Sequence, residues 1–395
     1  MSDRAPLQPA QLSPVDSHWL AVAVAAGKQG DRRVRPNPQV GCALVLPSAD
    51  GNGQLVASGY HAQVGGPHAE VVALRVAGTA AAGCTAYVTL EPCNHTGRTG
   101  PCSEALISAG VTRVVIGWRD PHPAAGGGAE RLAAAGLAVT IADPNQEIAL
   151  ACAELADVFL VNQLHNRAYV QLKLAATLDG RTAAADGTSR WITGPAARKQ
   201  VHLWRQHADA VLIGSGTALA DNPRLDLREL AGDAGPLPLR VVVDRRLRLQ
   251  PTSHLAQTEH QPTLVYVGDP AVLQTPQAQQ LLAQGVVLAV VPETASHAGG
   301  DRQDWLQRVL QDLVQRNVHH VLCEGGATLA AALLADRLVD RIDLLLAPLL
   351  LGAGRPLLDD MGIRTLPDAL RWRWTSATTL GEDVWLTALQ HRGLA

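Results

Sequence analysis

Four residues constrain the fold of this chain more than any other feature: His68, Glu70, Cys93 and Cys102. His68 and Glu70 stand at the head of the apolar, helix-like run GGPHAEVVALRVAG, Gly65 to Gly78. Residues two apart on a helix lie about 200° around it, so these side chains share no face. A site that uses both lies off the helix N-terminus, where first-turn side chains and free N–H groups converge. Cys93 and Cys102 belong to YVTLEPCNHTGRTGPCSEALISAG. There Ala86 to Leu90 alternates as a strand does, Glu91-Pro92 stops it, and Pro101 opens a helix that Gly110 ends. Cys102 then sits in a first helical turn, where the dipole favours a thiolate. The eight-residue loop between the cysteines can fold back to set both sulfurs on one ion. One imidazole and two thiolates are zinc-type ligands, and three protein ligands leave a fourth position for water, as in catalytic zinc sites. Zinc brings the pKa of bound water towards ~7. Glu70, beside the ion without ligating it, is placed to carry a proton. His95, inside the loop, is read as a bystander.

Composition narrows the function. The 395 residues suggest two or three domains. Hydrophobic residues make up 47% and charged residues 17%, which favours packed cores over disorder. A net charge of −3 and 3% aromatics supply neither a basic footprint for nucleic acid nor a stacking platform for single strands. No apolar run approaches the ~18 residues of a membrane span, and the polar start MSDRAPLQPAQLSPVD has no apolar targeting core. The chain therefore reads as cytoplasmic, with residues 1–15 a mobile lead-in. Six cysteines in so long a chain argue against a disulfide scaffold. Cys42, Cys84, Cys152 and Cys323, set in apolar runs, read as small buried hydrophobes.

H-x-E followed by P-C and a second cysteine is the signature of zinc nucleobase deaminases, where two residues usually separate the cysteines. Eight separate them here. With RPNPQVGCALV, ASGYHAQVGGPHAE and WRDPHP in order around it, residues 16–145 resemble the deaminase half of the bifunctional riboflavin-biosynthesis family. The resemblance implies a cytidine-deaminase-like three-layer α/β domain over 16–166. It makes His68, Cys93 and Cys102 ligands of one Zn2+ and Glu70 the catalytic acid–base. Patterning agrees, with strands expected at 39–47, 86–90, 112–117 and 138–142 and helices at 16–27, 68–79, 103–109 and 129–136. Asn37 and His61 are expected to meet the substrate, the Asn37 amide offering both donor and acceptor. Arg32, Arg33 and Arg35 form either a phosphate contact or a solvated face.

EIALACAELADVFLVNQLHNR reads as one amphipathic helix, which puts the domain boundary near Asn166. Strands then alternate with helices, the mark of a second α/β unit over 167–395. Strands are expected at 168–174, 210–214, 239–244, 263–268, 286–291, 319–323, 341–347 and 384–389, and helices at 195–208, 276–284, 302–316 and 327–336. No G-x-G-x-x-G is present. Two glycine-bearing strand ends remain, AVLIGSGTALADNPRL and HHVLCEGGATLAAALL, each suited to a nucleotide phosphate. With VQLKLAATLDGRTA and SRWITG they resemble the reductase half of the same family, which implies a dihydrofolate-reductase-like fold that uses NADPH. Carried over by position, Ala175, Trp191, Thr217, Asp221, Gly326, Ala327, Thr328 and Leu329 would line the cofactor. Lys173, Ser189, Arg205, Leu225, Arg228 and Glu324 would line the substrate, with Arg205 and Arg228 as phosphate partners. Arg245, after the strand VVVD, is either a 2′-phosphate partner or solvated.

The joint expectation is a two-domain α/β enzyme acting on small phosphoribosylaminopyrimidines, without nucleic-acid or membrane partners. It would deaminate 2,5-diamino-6-(5-phosphoribosylamino)pyrimidin-4(3H)-one with zinc, then reduce the ribosyl group with NADPH. The alternatives are another zinc deaminase, of tRNA or of nucleosides, and a non-catalytic zinc-stabilised sensor of a flavin precursor. Whether the chain forms a homo-oligomer is left open, since DLLLAPLLLG suits a core strand or an interface.

Overall fold

The segment GCALVL, Gly41–Leu46, sends Cys42 and Leu44 to one core and Ala43 and Val45 to another, and all four are buried. A strand apolar on both faces belongs in the middle of three layers. The computed structural model describes residues 7–95, 100–122, 125–230, 235–292 and 303–390. It divides into two compact units between Asn166 and Arg167.

The first unit runs β1 (Pro9–Ala10), α1 (Pro14–Gly27), β2 (Gly41–Leu46), β3 (Gln54–Tyr60), α2 (Ala69–Ala77), β4 (Thr85–Val88), α3 (Cys102–Ser108), β5 (Arg113–Ile116), α4 (Gly128–Ala134), β6 (Ala138–Ala142), α5 (Glu147–Leu155) and α6 (Asp157–His165). The sheet order is β1-β6-β5-β4-β2-β3, parallel from β1 to β4, with β2 antiparallel to β3 and β4. Leu20, Ala23 and Val24 of α1 and Ala149 and Cys152 of α5 pack on one face. Ala69 and Ala73 of α2, Leu106 of α3 and Leu132 of α4 pack on the other. Helix α2 lies so close to β3 that a Cβ on Gly59 would come within 2.6 Å of the Ala69 carbonyl and the Ala73 nitrogen. Only glycine allows that approach, and it helps to seat the helix that carries His68 and Glu70.

Three expectations change here. The lead-in is tied down from Pro9 onwards: Pro9 and Ala10 pair with Ile141 and Ala142, and Leu12 is buried. Residues 1–6 lie outside the described residues. β3 falls on LVASGY, a strand-like stretch that was not among the bounded strand expectations. The single helix expected over 147–167 is two, bent by 77° at Ala156. Buried Ala149, Cys152, Ala153, Ala156, Phe159 and Leu160 keep helical spacing through the break, so periodicity could not reveal it. The Ala156 N–H bonds to the Ala153 carbonyl instead, tightening the turn.

The second unit runs β7 (Tyr169–Thr177), β8 (Arg181–Ala183), α7 (Pro195–His207), β9 (Ala210–Gly214), α8 (Ser215–Asp221), β10 (Leu239–Val243), β11 (Thr263–Val267), α9 (Pro276–Ala283), β12 (Val287–Val290), α10 (Gln303–Gln315), β13 (His320–Cys323), α11 (Ala327–Ala335), β14 (Arg341–Ala347), β15 (Arg355–Pro356), β16 (Trp372–Leu380) and β17 (Asp383–Gln390). Nine strands form one sheet in the order β12-β11-β10-β9-β13-β7-β14-β17-β16, parallel as far as β14. Helices α10 and α11 cover one face, and α7, α8 and α9 the other. β16, a long edge strand, was not expected from the sequence. DLLLAPLLLG divides: Leu345 is buried in β14, while Leu349, Leu350 and Leu351 are exposed. Among the described residues no single helix is long and apolar enough to cross a membrane.

Candidate active sites

His68 is the residue that caps α2, and Cys102 is the first residue of α3, so two helix starts face one strand end. The His68 Nδ1 lies 3.6 Å from Cys93 Sγ and 3.3 Å from Cys102 Sγ. The three ligand atoms lie within 4.8 Å of one another. Cys102 N–H points at Cys93 Sγ, and Ser103 N–H donates to the Cys93 carbonyl at 3.2 Å. These bonds close the ends of the eight-residue loop. Its residues 96–99 lie outside the described residues, so the HTGRT motif is seen only at His95.

The chemistry of this donor set calls for a cation. A hydrogen bond from Cys102 holds the Cys93 thiol well below its ordinary range, against the effect of burial. The same bond, then burial and the Glu70 charge, push Cys102 far up. The pair therefore gives up one proton readily and keeps the other. Both sulfurs ionise beside a carboxylate only if a metal ion sits among them. Glu70 is 3% exposed, and burial first, then the Cys93 charge, push its carboxyl up to about 7.

A cavity of about 450 Å3 opens beside this centre, lined by Asn37, His61, His68, Glu70, Cys93 and Asp120 among others. The His61 Nδ1 contacts the Pro67 carbonyl at 3.0 Å, so Nδ1 carries the proton. Burial, then the neighbouring His68, keep its pKa below the ordinary value, so the ring is neutral and Nε2 is an acceptor. Asn37 must therefore turn its NH2 to His61 Nε2, at 3.2 Å, which leaves its oxygen for a ligand. Arg33 is salt-bridged to Asp31 on the surface. Sequence reasoning passed over Glu91. Its buried carboxylate accepts N–H groups of Asp120, Gly127 and Ala129, and so holds the loop that walls the cavity. Asp120 and Phe159 also line the cavity; their only sequence signals were the WRDPHP stretch and a lone phenylalanine.

In the second unit, the chain order reverses between β9 and β13, which are neighbours. The crevice outside the carboxyl ends of such strands is where open α/β sheets bind ligands. Both glycine-bearing segments lie there, and Gly326 N–H donates to Thr217 Oγ1 at 3.1 Å. Gly216 has no left-handed φ, and a Cβ on it would meet nothing within 4 Å. Neither backbone nor packing requires glycine at that position. Arg248 donates to the Ser215 hydroxyl at the head of α8. Exposed Trp191 carries the Arg198 guanidinium on its ring, 4.5 Å from the centroid. Asp221 ends α8, Thr328 bonds Asp359, and Ser189 is exposed. Ala175, late in β7, is partly buried against the cluster that contains Val201, Trp204 and Leu345, and Ala327 opens α11.

Several expected roles shift. Arg205 grips Glu324 through two bonds of 2.6 and 2.9 Å and donates to the Asp226 carbonyl, which engages three of its five N–H groups. Burial would raise the Glu324 pKa, but the Arg205 charge and hydrogen bonds bring it below its ordinary value. Burial lowers the Lys173 ammonium, with the Glu324 charge pulling the other way. Leu225 and Leu329 bury their side chains in the core, so only their backbones can face a ligand. Arg245 stacks on Trp305 at 4.8 Å from the ring centroid, rather than standing solvated. Arg228 stays exposed, paired with Asp226 at 2.5 Å.

The first unit thus has the fold and donor set of a zinc-dependent nucleobase-type deaminase, and the second those of a dinucleotide-dependent reductase. Residues 14–118 match the cytidine and deoxycytidylate deaminase zinc-binding region, and residues 168–386 match the RibD C-terminal domain. The riboflavin biosynthesis protein RibD of Escherichia coli K12 is 39% identical over 94% of this chain and 98% of its own length. That of Aquifex aeolicus is 34% identical over 94% and 97%. The structure of Acinetobacter baumannii RibD superposes with a TM-score of 0.76 at 37% identity, covering 96% of this chain and 99% of that one. A Thermotoga maritima diaminohydroxyphosphoribosylaminopyrimidine deaminase/5-amino-6-(5-phosphoribosylamino)uracil reductase gives 0.75 at 30% identity, covering 95% and 99%. The chain belongs to the RibD family of bifunctional riboflavin-biosynthesis deaminase/reductases. The alternatives of a tRNA or nucleoside deaminase and of a non-catalytic sensor fall away. Zinc serves the first unit and NADPH the second.

Proposed function

We propose that the first unit removes the C2 amino group of 2,5-diamino-6-(5-phosphoribosylamino)pyrimidin-4(3H)-one, and that the second reduces the ribosyl group of the resulting uracil to ribityl. The observation that carries this reading is the buried Glu70 carboxylate beside three ligand atoms within 4.8 Å of one another, against a cavity of about 450 Å3 that Glu70, His68 and Cys93 help to line. His68, Cys93 and Cys102 would hold zinc, which when bound would supply an acidified water beside Glu70. Glu70 would accept a proton and return it to the departing amine, a task suited to a carboxyl pushed up to about 7. The Asn37 oxygen, oriented through His61, accepts an N–H of the pyrimidine and sets its register. Burial excludes bulk water from Glu70, so the proton stays within the site.

The crevice between β9 and β13 would hold NADPH, which when bound would be the hydride source for the ribosyl C1′. Gly216, Thr217 and the backbone of Gly326 to Leu329 hold the dinucleotide, with Ala175, Trp191 and Asp221 around it. Lys173 and Glu324 polarise the ribosyl end, Glu324 being fixed by Arg205. Ser189, the backbone of Leu225 and the guanidinium of Arg228 hold the rest of the substrate. A cytoplasmic location belongs to the same reading and is supported by six free thiols. Purified protein given the diaminopyrimidine should release ammonia without NADPH and oxidise NADPH only after that release. Oxidation of NADPH with no prior ammonia would overturn the order of the two steps.

A further inference from the structure

The reductase unit holds a second cavity, of about 420 Å3, lined by Arg337, Arg371, Trp372, Gln390, Leu334 and Val339 among others. It is separate from the crevice. Helix α11 starts at the crevice with Gly326 and Ala327 and reaches the cavity with Leu334, and its nine residues span roughly 13 Å. Val339 precedes β14, so the cavity lies at the amino end of that strand, whereas the crevice lies at the carboxyl ends of its parallel neighbours. Among the described residues no acidic side chain lines the cavity, and the side chains of Arg337 and Arg371 have neither a hydrogen bond nor an ion pair. Two cations on the wall of one cavity repel each other, and an anion between them relieves that cost.

The backbone at Arg337 is a second observation. Its φ is +55°, its N–H bonds the Leu334 carbonyl at 3.0 Å, and the Leu338 N–H bonds the Leu333 carbonyl at 2.9 Å. Those two bonds close α11 in the way that usually calls for glycine at the left-handed residue. An arginine there costs stability that glycine would not. A cation near a helix carboxyl end offsets part of that cost, and a glycine variant separates that role from a ligand's. A guanidinium pairs bidentately with phosphate, and two of them match the charge of a phosphate monoester better than that of a carboxylate. Leu334, Val339 and Trp372 add an apolar wall, and the volume is that of a small-molecule site. We propose that this cavity binds a phosphate monoester of an aromatic or heterocyclic compound, with the phosphate between Arg337 and Arg371 and the ring against Trp372, Leu334 and Val339.

Phenyl phosphate is the probe, titrated calorimetrically into the zinc-loaded full chain and its variants. Arg337→Gly and Arg371→Gln should each weaken binding about tenfold or more. Arg337→Gly should melt no lower than the wild type, because glycine suits the left-handed backbone. A lower melting point with unchanged binding would mean that Arg337 only closes the helix, and would overturn the proposal. Phenol or benzoate binding as tightly as phenyl phosphate would overturn the phosphate assignment, and inorganic phosphate binding as tightly would remove the ring's part. Saturating NADPH should not displace the probe, since it belongs in the crevice at the other end of α11. Loss of binding in Arg228→Ala, with none in the two cavity variants, would place the probe in the crevice and refute the site. Protein labelled with 5-fluorotryptophan gives a local readout that needs no arginine variant. The fluorine resonance of Trp372, assigned with Trp372→Phe, must move on adding phenyl phosphate, and a fixed resonance refutes the contact.

Discussion

Replacing Arg205 with methionine tests whether this residue holds Glu324 rather than substrate. The two side chains are 11% and 10% exposed and meet through two bonds of 2.6 and 2.9 Å. Removing one partner of a buried pair costs about 3–5 kcal/mol, because the remaining charge is left without its counter-charge. Lys173 also attracts Glu324, which places the expectation at the lower end. At about 2–4 °C per kcal/mol for a unit of this size, melting should fall by roughly 6–12 °C. Arg205→Met with Glu324→Gln removes both charges and should recover at least half of that loss. The pH dependence has a definite sign. In the native protein Glu324 lies below its ordinary pKa, so its stabilisation is full above the unfolded value of about 4.3 and is lost as pH falls through the folded value. Without Arg205, burial dominates and the folded pKa rises above the unfolded one. The cost then grows as pH rises from about 4.3 towards that raised value. Calorimetry of the zinc-loaded chain should show a larger wild-type-to-variant gap at pH 8 than at pH 5. A drop under about 2 °C, or a double variant no more stable than the single one, would refute the reasoning.

Glu70→Gln should keep one zinc per chain by metal analysis and lose about 10²–10⁴ in the rate of ammonia release; retained activity would remove Glu70 from the proton path. Gly216→Val, where a Cβ meets no protein atom within 4 Å, should leave melting nearly unchanged yet raise the Kd for NADPH about tenfold, read by fluorescence titration. Asp343 is fully buried and accepts from Gln171, Arg341, Trp385 and Thr387. Asp343→Ala should cost about 3–5 kcal/mol in urea unfolding with an unchanged slope, since several buried donors lose their acceptor together.

The metal centre was legible before any coordinates, because ligand chemistry is written in residue type and short spacing. The three-layer first unit and the strands on either side of the reductase switch point were legible too, since β2, β5, β9 and β13 repeat the patterns that buried strands require. Misreadings came where pattern and geometry part company. The buried stripe of α5 continues unbroken into α6, so nothing in it signals the bend. Nor does any local pattern show that Arg205 bonds Glu324 or that the Leu225 side chain lies in the core.

What sequence alone decided is the kind of chemistry: an imidazole, two thiols and a carboxylate at those spacings suit a hydrolytic zinc, and glycines after strands suit a phosphate-bearing cofactor. What the tertiary structure decided is which polar groups remain available. Glu91 and Arg205 acquire their roles from partners 38 and 119 residues away along the chain — Ala129 and Glu324 — that only folding brings near. Hydrogen bonds and ion pairs depend on distances of a few ångströms, and no local pattern of residues encodes those.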